Sequence, residues 1–195
     1  MAIIEDGEGS SRKAFVDDRG RLLTDALTDE HSTKAVENGT AWNIHSGTIT
    51  LTSGNESGLL YMKNTGSVTI IVNYSAWLMG TSTGAAAGEY ILCTVYRNPT
   101  TGTLISGGTA VTPVNKNFGA ANIMKATVLK GVEGSTITDG INALETLRST
   151  VGTQVTGVVL SIPQGSSIAL SITPFASNTS MPLQAVLSVY EAIND

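Results

Sequence analysis

The feature that most constrains this chain is an alternation of apolar and polar side chains, two residues in period, in short runs. The run 167–173 is the clearest, because Ile168, Leu170 and Ile172 alternate with small or polar residues. Successive side chains of a strand point to opposite faces of a sheet, so such a run predicts a strand with one buried face. Comparable runs lie at 48–52, 59–63, 68–79, 90–97, 103–111, 126–130, 155–162 and 183–190. Turn residues separate them, which predicts an all-β sandwich or jelly roll of about eight to nine strands.

Three stretches carry finer expectations. Glycines interrupt the run 103–111, which predicts an edge strand or a bulged strand. In the run 68–79, strict alternation places Trp77 on the minority face, so Trp77 is expected to be exposed or to lie in an interface. A near-helical spacing after Thr138 and Asp139 predicts one short helix inserted between strands, with the apolar residues Ile141, Leu144, Leu147 and Val151.

Charge divides the chain into two parts. Residues 1–37 hold 14 of the 27 formal charges, with few β-branched or aromatic residues to bury. We therefore interpret residues 1–40 as an extended or partly helical arm, ordered by contact with a partner, and residues 41–195 as the sandwich. A frayed terminus is the alternative. The residues assigned to partner binding are Phe15, Val16, Arg19, Arg21, Leu22, Leu23 and Leu27.

Composition excludes several function classes. The chain has a formal net charge of −5 and no lysine or arginine cluster, so nucleic acid is not an expected partner. No apolar run reaches a membrane span of roughly 18 residues, and the first residues lack the features of a signal peptide. The single cysteine, Cys93, lies on an apolar strand face and is expected to be a buried, unreactive thiol. His31 and His45 are expected to form surface hydrogen bonds, and no metal or cofactor is predicted.

Motifs for catalysis are weak. Residues 80–84 spell G-x-S-x-G around Ser82, but no helix pattern follows and both histidines precede it, so a turn of small residues is the interpretation. The adjacent carboxylates Glu5-Asp6, Asp17-Asp18 and Asp29-Glu30 are interpreted as solvated charge. We predict no enzyme. A glycan- or host-binding module, using Trp77 and the loop 98–103, is an alternative from another class.

Five stretches resemble structural proteins from the particles of tailed bacteriophages, namely residues 16–22, 42–64, 95–110, 115–119 and 160–181. None of them is a catalytic signature. The resemblance implies a virion β-sandwich without enzymatic activity, most similar to head decoration (cement) proteins, which such phages place as trimers on the capsid surface. It also implies the major capsid protein as partner, no small-molecule substrate, and assembly in the host cytoplasm. A tail or neck component is the alternative within that group.

Overall fold

A computed structural model describes residues 2–5, 13–16, 22–23, 31–81, 83, 89–149, 153–156 and 159–192. Residue contacts divide the chain into two compact units, 1–30 and 31–195. In the first unit, strands β1 (Ala2–Glu5), β2 (Lys13–Val16) and β3 (Leu22–Leu23) form an antiparallel sheet in that order. The division falls before the expected boundary at residue 40, because helix α1 (His31–Glu37) buries Ala35 in the second unit.

The second unit, here called the body, is built almost entirely from strands. Its first half contains β4 (Ala41–His45), β5 (Ile49–Leu51), β6 (Ser57–Asn64), β7 (Ile70–Met79), β8 (Ile91–Arg97), α2 (Thr103–Gly107), β9 (Thr109–Ala110) and β10 (Val114–Asn115). Its second half contains β11 (Ala126–Lys130), β12 (Ile141–Arg148), β13 (Thr153–Thr156), β14 (Leu160–Ile162), β15 (Ser167–Thr173) and β16 (Met181–Glu191). Neither helix described here is long and apolar enough to cross a membrane.

The strand order is that of a jelly roll. One sheet runs β10-β4-β16-β7-β13, with β5 also paired to β16 and β14 also paired to β7. The other runs β12-β8-β15-β6-β11-β9. All pairings are antiparallel, and the chain passes back and forth between the two sheets. This confirms the all-β jelly-roll prediction, with β9, β10 and β11 added at one edge of the two-sheet core.

The core lies between the two sheets. The inward side chains of β15, predicted from the alternation, are Ile168, Leu170 and Ile172, and all are essentially inaccessible. The outer face of the same sheet carries a second, smaller cluster of Tyr61, Leu104 and Ala169. Leu104 comes from α2, so this helix covers that face. The predicted edge strand over 103–111 is therefore confirmed only at Thr109–Ala110, where β9 lies at the edge of its sheet. The first half of the run is helical instead, because burying Leu104 on the sheet outweighs the extended preference of these residues.

The prediction that Trp77 is exposed is also wrong. A bulge in β7 leaves Asn73 without a partner in the register with β16, where Val72 and Tyr74 pair with consecutive residues. One extra residue reverses which side chains face the core, because the side-chain period of a strand is two. Trp77 consequently points inward with no exposed surface, and its Nε1 donates a hydrogen bond to the Ser171 carbonyl oxygen at 3.0 Å.

The inserted helix over 141–151 is replaced by strand β12, which pairs with β8 from Ile141 to Arg148. The edge of β8 offers a ladder of hydrogen bonds that a short exposed helix lacks, and this pairing overrides the local spacing. A second bulge leaves Ala143 unpaired, so that Leu144 packs against the core while Ile141 and Leu147 stay exposed. Val151 lies outside the described residues.

Candidate assembly surface

The structure describes only the backbone at part of the predicted arm site. Phe15 and Val16 lie in β2, and Leu22 and Leu23 lie in β3, whose side chains are outside the description. Three further residues, Arg19, Arg21 and Leu27, lie outside the described residues altogether, as do Ser82 and the carboxylates Asp6, Asp17, Asp18, Asp29 and Glu30. Partner binding by the arm therefore stays a prediction.

Groups with potential reactivity are either buried or dispersed. Cys93 is 1% exposed, and desolvation by burial raises the pKa of its thiol to about 12, which confirms the predicted buried thiol. His31 and His45 are exposed, at the start of α1 and the end of β4. Across the part of the chain that the structure describes, no group of three or more His, Cys, Asp or Glu side chains could hold a metal ion.

The polar groups of the loop 98–103, the alternative glycan site, are partly used in hydrogen bonds to Asp139. The Asp139 carboxylate accepts from the backbone N–H groups of Thr100 at 2.8 Å and Thr101 at 2.9 Å, and from the Thr100 hydroxyl. These donors stabilise the ionised carboxylate and hold the pKa of Asp139 at about 2. Because Trp77 lies inside the core, it cannot stack on a sugar at the surface beside this loop.

Among the side chains whose burial the structure describes, the most exposed large apolar ones belong to a loop between β10 and β11. Phe118 is 96% exposed and Ile123 is 86% exposed, and Val114 of β10 is 47% exposed beside them. We call residues 115–123 the asparagine loop. A phenyl ring standing almost wholly in water lacks the stabilisation that burial would give it.

The asparagine loop rests on the end of helix α1. This helix ends in a Schellman motif, in which the Thr40 N–H donates to the Ala35 carbonyl at 2.8 Å and the Gly39 N–H to the Val36 carbonyl at 3.0 Å. Gly39 has a φ of +69°, the left-handed conformation that the motif requires. A Cβ at this position would overlap the Ala120 Cβ, so the loop approaches the helix end as closely as glycine allows.

Three asparagine side chains secure the loop to carbonyl groups that the helix end leaves free. The amide nitrogens donate as follows: Asn115 to the Gly39 oxygen at 2.7 Å, Asn117 to the Glu37 oxygen at 3.0 Å, and Asn122 to the Asn38 oxygen at 3.1 Å. Within the loop, the Asn115 side-chain oxygen accepts from the Asn117 N–H at 2.9 Å, and that of Asn117 accepts from the Gly119 N–H at 3.1 Å. The backbone around Phe118 is thus hydrogen-bonded on both sides.

Lys116 attaches the loop to the adjacent sheet. Its N–H donates to the Ala41 carbonyl at 2.9 Å, and its Nζ donates to the Ser188 hydroxyl. Burial lowers the pKa of Lys116, because the ammonium group has given up part of its hydration. Because Lys116 is partly desolvated and bonded to two residues of the sheet, the asparagine loop has a defined position on the body.

At the opposite edge of the sandwich, where β12 and β14 lie, a cavity opens between the sheets. Its volume is about 230 Å³, and we call it the edge cavity. Apolar side chains from both sheets form half of its lining, namely Val95, Ala143, Leu160, Ile162, Pro163 and Ile168. Polar residues form the other half, namely Tyr96, Arg97, Asn98, Ser161, Ser166 and Ser167. Sequence reasoning missed both this cavity and the exposed ring of Phe118. The available signal was a phenylalanine isolated among Asn, Lys and Gly residues at 115–119, outside any alternating run.

Comparisons with known proteins add little to this geometry. No protein-family model matches the chain, and no curated protein matches it. One solved structure that aligns with it is the crystal structure of the infectious bursal disease virus VP2 subviral particle, at 10% sequence identity. The alignment covers 80% of this chain and 40% of that one, with a TM-score of 0.13. A score this low carries no inference about fold or function.

Proposed function

We propose that this chain is a non-enzymatic structural protein of a tailed-bacteriophage virion, which decorates and stabilises the capsid as a homotrimer. The observation that carries this proposal is the asparagine loop, which holds Phe118 96% exposed on a hydrogen-bonded frame. A surface of this kind serves contact between the copies of a homotrimer or with the shell that the trimer covers. The resemblance to virion proteins supplies the class of partner, the major capsid protein.

The body suits a component that repeats over a lattice. Its two sheets enclose one continuous hydrophobic core, and the 158 residues after residue 37 hold only 13 of the 27 formal charges. A decoration protein binds many equivalent sites, so modest affinity at each site suffices when several copies act together. The arm, with its anchors Arg19, Arg21, Leu22, Leu23 and Leu27, is proposed to contact the capsid or a neighbouring subunit.

The test is a pair of binding measurements on purified virions and empty heads. A gold-labelled antibody against the body is expected to mark the head surface, and deletion of residues 1–30 is expected to abolish rebinding to stripped heads. That deletion retains α1, whose Ala35 is buried in the body. Label confined to the tail or neck would favour the alternative component, and absence of the chain from virions would overturn the proposal.

A further inference from the structure

An exposed aromatic ring and a partly apolar cavity lie at opposite edges of the body. Strands β9, β10 and β11 form one edge, and the asparagine loop with Phe118 continues from β10. Strands β12, β13 and β14 form the other edge, and the edge cavity opens there, beside Ala143 and Leu160. One edge therefore carries a protruding ring and the other a hole.

The hole is large enough for the ring. An apolar cavity of roughly 150 Å³ takes up a benzene molecule, and the edge cavity measures about 230 Å³. Its walls include Val95, Ile162 and Ile168, which belong to the hydrophobic core. We propose that Phe118 of one copy inserts into the edge cavity of the next copy, forming a head-to-tail contact between bodies.

Two features favour an aromatic occupant from a rigid segment. Arg97 lines the cavity, and a guanidinium group attracts the face of an aromatic ring. The three asparagine side chains already order the loop in the single chain, so little further conformational entropy is lost when it docks. Phe118 and the cavity are thus prepared for each other before contact.

The symmetry of the contact follows from its geometry. A dimer with twofold symmetry places the same patch on both sides of one interface, whereas a protrusion and a hole at opposite edges repeat head to tail. Such a contact closes into a ring when the rotation between successive copies closes, and it extends as a filament when the rotation does not. This inference rests on the homotrimer part of the proposed function for the number of copies. It requires neither the capsid nor the arm.

The first experiment measures mass in solution by sedimentation velocity and native mass spectrometry. Wild-type protein is expected at three times the chain mass of 20.2 kDa. Phe118→Ser and the cavity-filling Ala143→Trp are each expected to raise the dissociation constant at least about thirtyfold, the loss typical of an aromatic hot spot. Ser161→Trp is a second cavity-filling variant in case Ala143→Trp misfolds, and Val132→Ser, an exposed apolar residue away from both features, is the matched control.

The second experiment mixes the two variants. Phe118→Ser retains an intact cavity and Ala143→Trp retains an intact ring, so the mixture is expected to form heterodimers that stop at two chains. Wild-type protein that stays monomeric, Phe118→Ser at the wild-type mass, or a mixture that stays monomeric would each overturn the contact. If the wild type formed an oligomer of another size and the two variants still weakened it, the contact would stand and the trimer would be wrong. Capsid rebinding tests the proposed function separately.

Discussion

The aromatic residues Trp77 and Phe118 lie in opposite surroundings. Trp77 lies between the sheets with no exposed surface and donates a hydrogen bond to the Ser171 carbonyl. Phe118 is 96% exposed, on a loop held by three asparagine side chains and Lys116. In the core, the buried side chain of Trp77 stabilises the fold. In the asparagine loop, polar side chains hold the backbone so that the apolar side chain of Phe118 stays exposed.

This difference separates the contribution of an aromatic side chain to folding from its contribution to association. Removing Trp77 is expected to affect folding, because core packing disappears with it. Removing Phe118 is expected to affect association alone, because the ring contributes almost nothing to the isolated body.

Trp77→Ala is expected to lower the free energy of unfolding by about 3–5 kcal/mol, the range for deleting a large buried aromatic side chain. The change removes the packing between the sheets and leaves the Ser171 carbonyl without its indole donor. Urea unfolding followed by circular dichroism measures it. Phe118→Ala is the matched control and is expected to stay within about 0.5 kcal/mol of the wild type when both are unfolded at a chain concentration low enough to keep them monomeric. If the two variants lost equal stability, the contrast between core and loop would fail.

Alkaline pH tests the core through Cys93. Burial raises the pKa of this thiol from 9.0 to about 12, so the folded chain retains a proton that the unfolded chain loses between these values. The free energy of unfolding therefore falls as pH rises through this window, by up to about 1.4 kcal/mol per pH unit.

The matched variant for this experiment is Cys93→Ala, whose unfolding free energy should vary less with pH above 9. Tyr96, whose pKa is also raised to about 12 by burial and by Glu56, is common to both proteins and cancels in the difference. Parallel pH profiles for the two proteins would show that the core around Cys93 admits water.

The separation also explains what the sequence could predict. Alternation located β15 and its buried Ile168, Leu170 and Ile172, because sheet burial has the same period as the pattern. It misassigned Trp77, because the bulge at Asn73 is set by pairing with β16, which is distant in sequence. Phe118 was missed for a related reason, since its exposure depends on asparagine contacts with a helix end far away along the chain.

The frame of the asparagine loop can be weakened while its tip is kept. Asn117→Ala and Asn122→Ala each remove donors to the α1 end and should cost about 0.5–1.5 kcal/mol of stability per lost hydrogen bond. They should also weaken self-association, because a looser loop loses more entropy on docking. Paired urea unfolding and sedimentation measurements check both effects. Unchanged association with a measurably destabilised loop would mean that Phe118 does not depend on its frame.

The smallest expected effect concerns Asp139, whose carboxylate orders the turn at Thr100 and Thr101. The pKa of Asp139 is lowered to about 2, so its contribution is present above the unfolded value of 3.8 and is lost as pH falls toward 2. Asp139→Asn should therefore speed amide hydrogen exchange at Thr100 and Thr101 near neutral pH and change it little at pH 2. Exchange that stays slow in the variant would show that the backbone holds this turn without the charge. In that case side-chain hydrogen bonds would not be needed to order this turn. The asparagine loop, whose backbone around Phe118 depends on such bonds, would then differ from it.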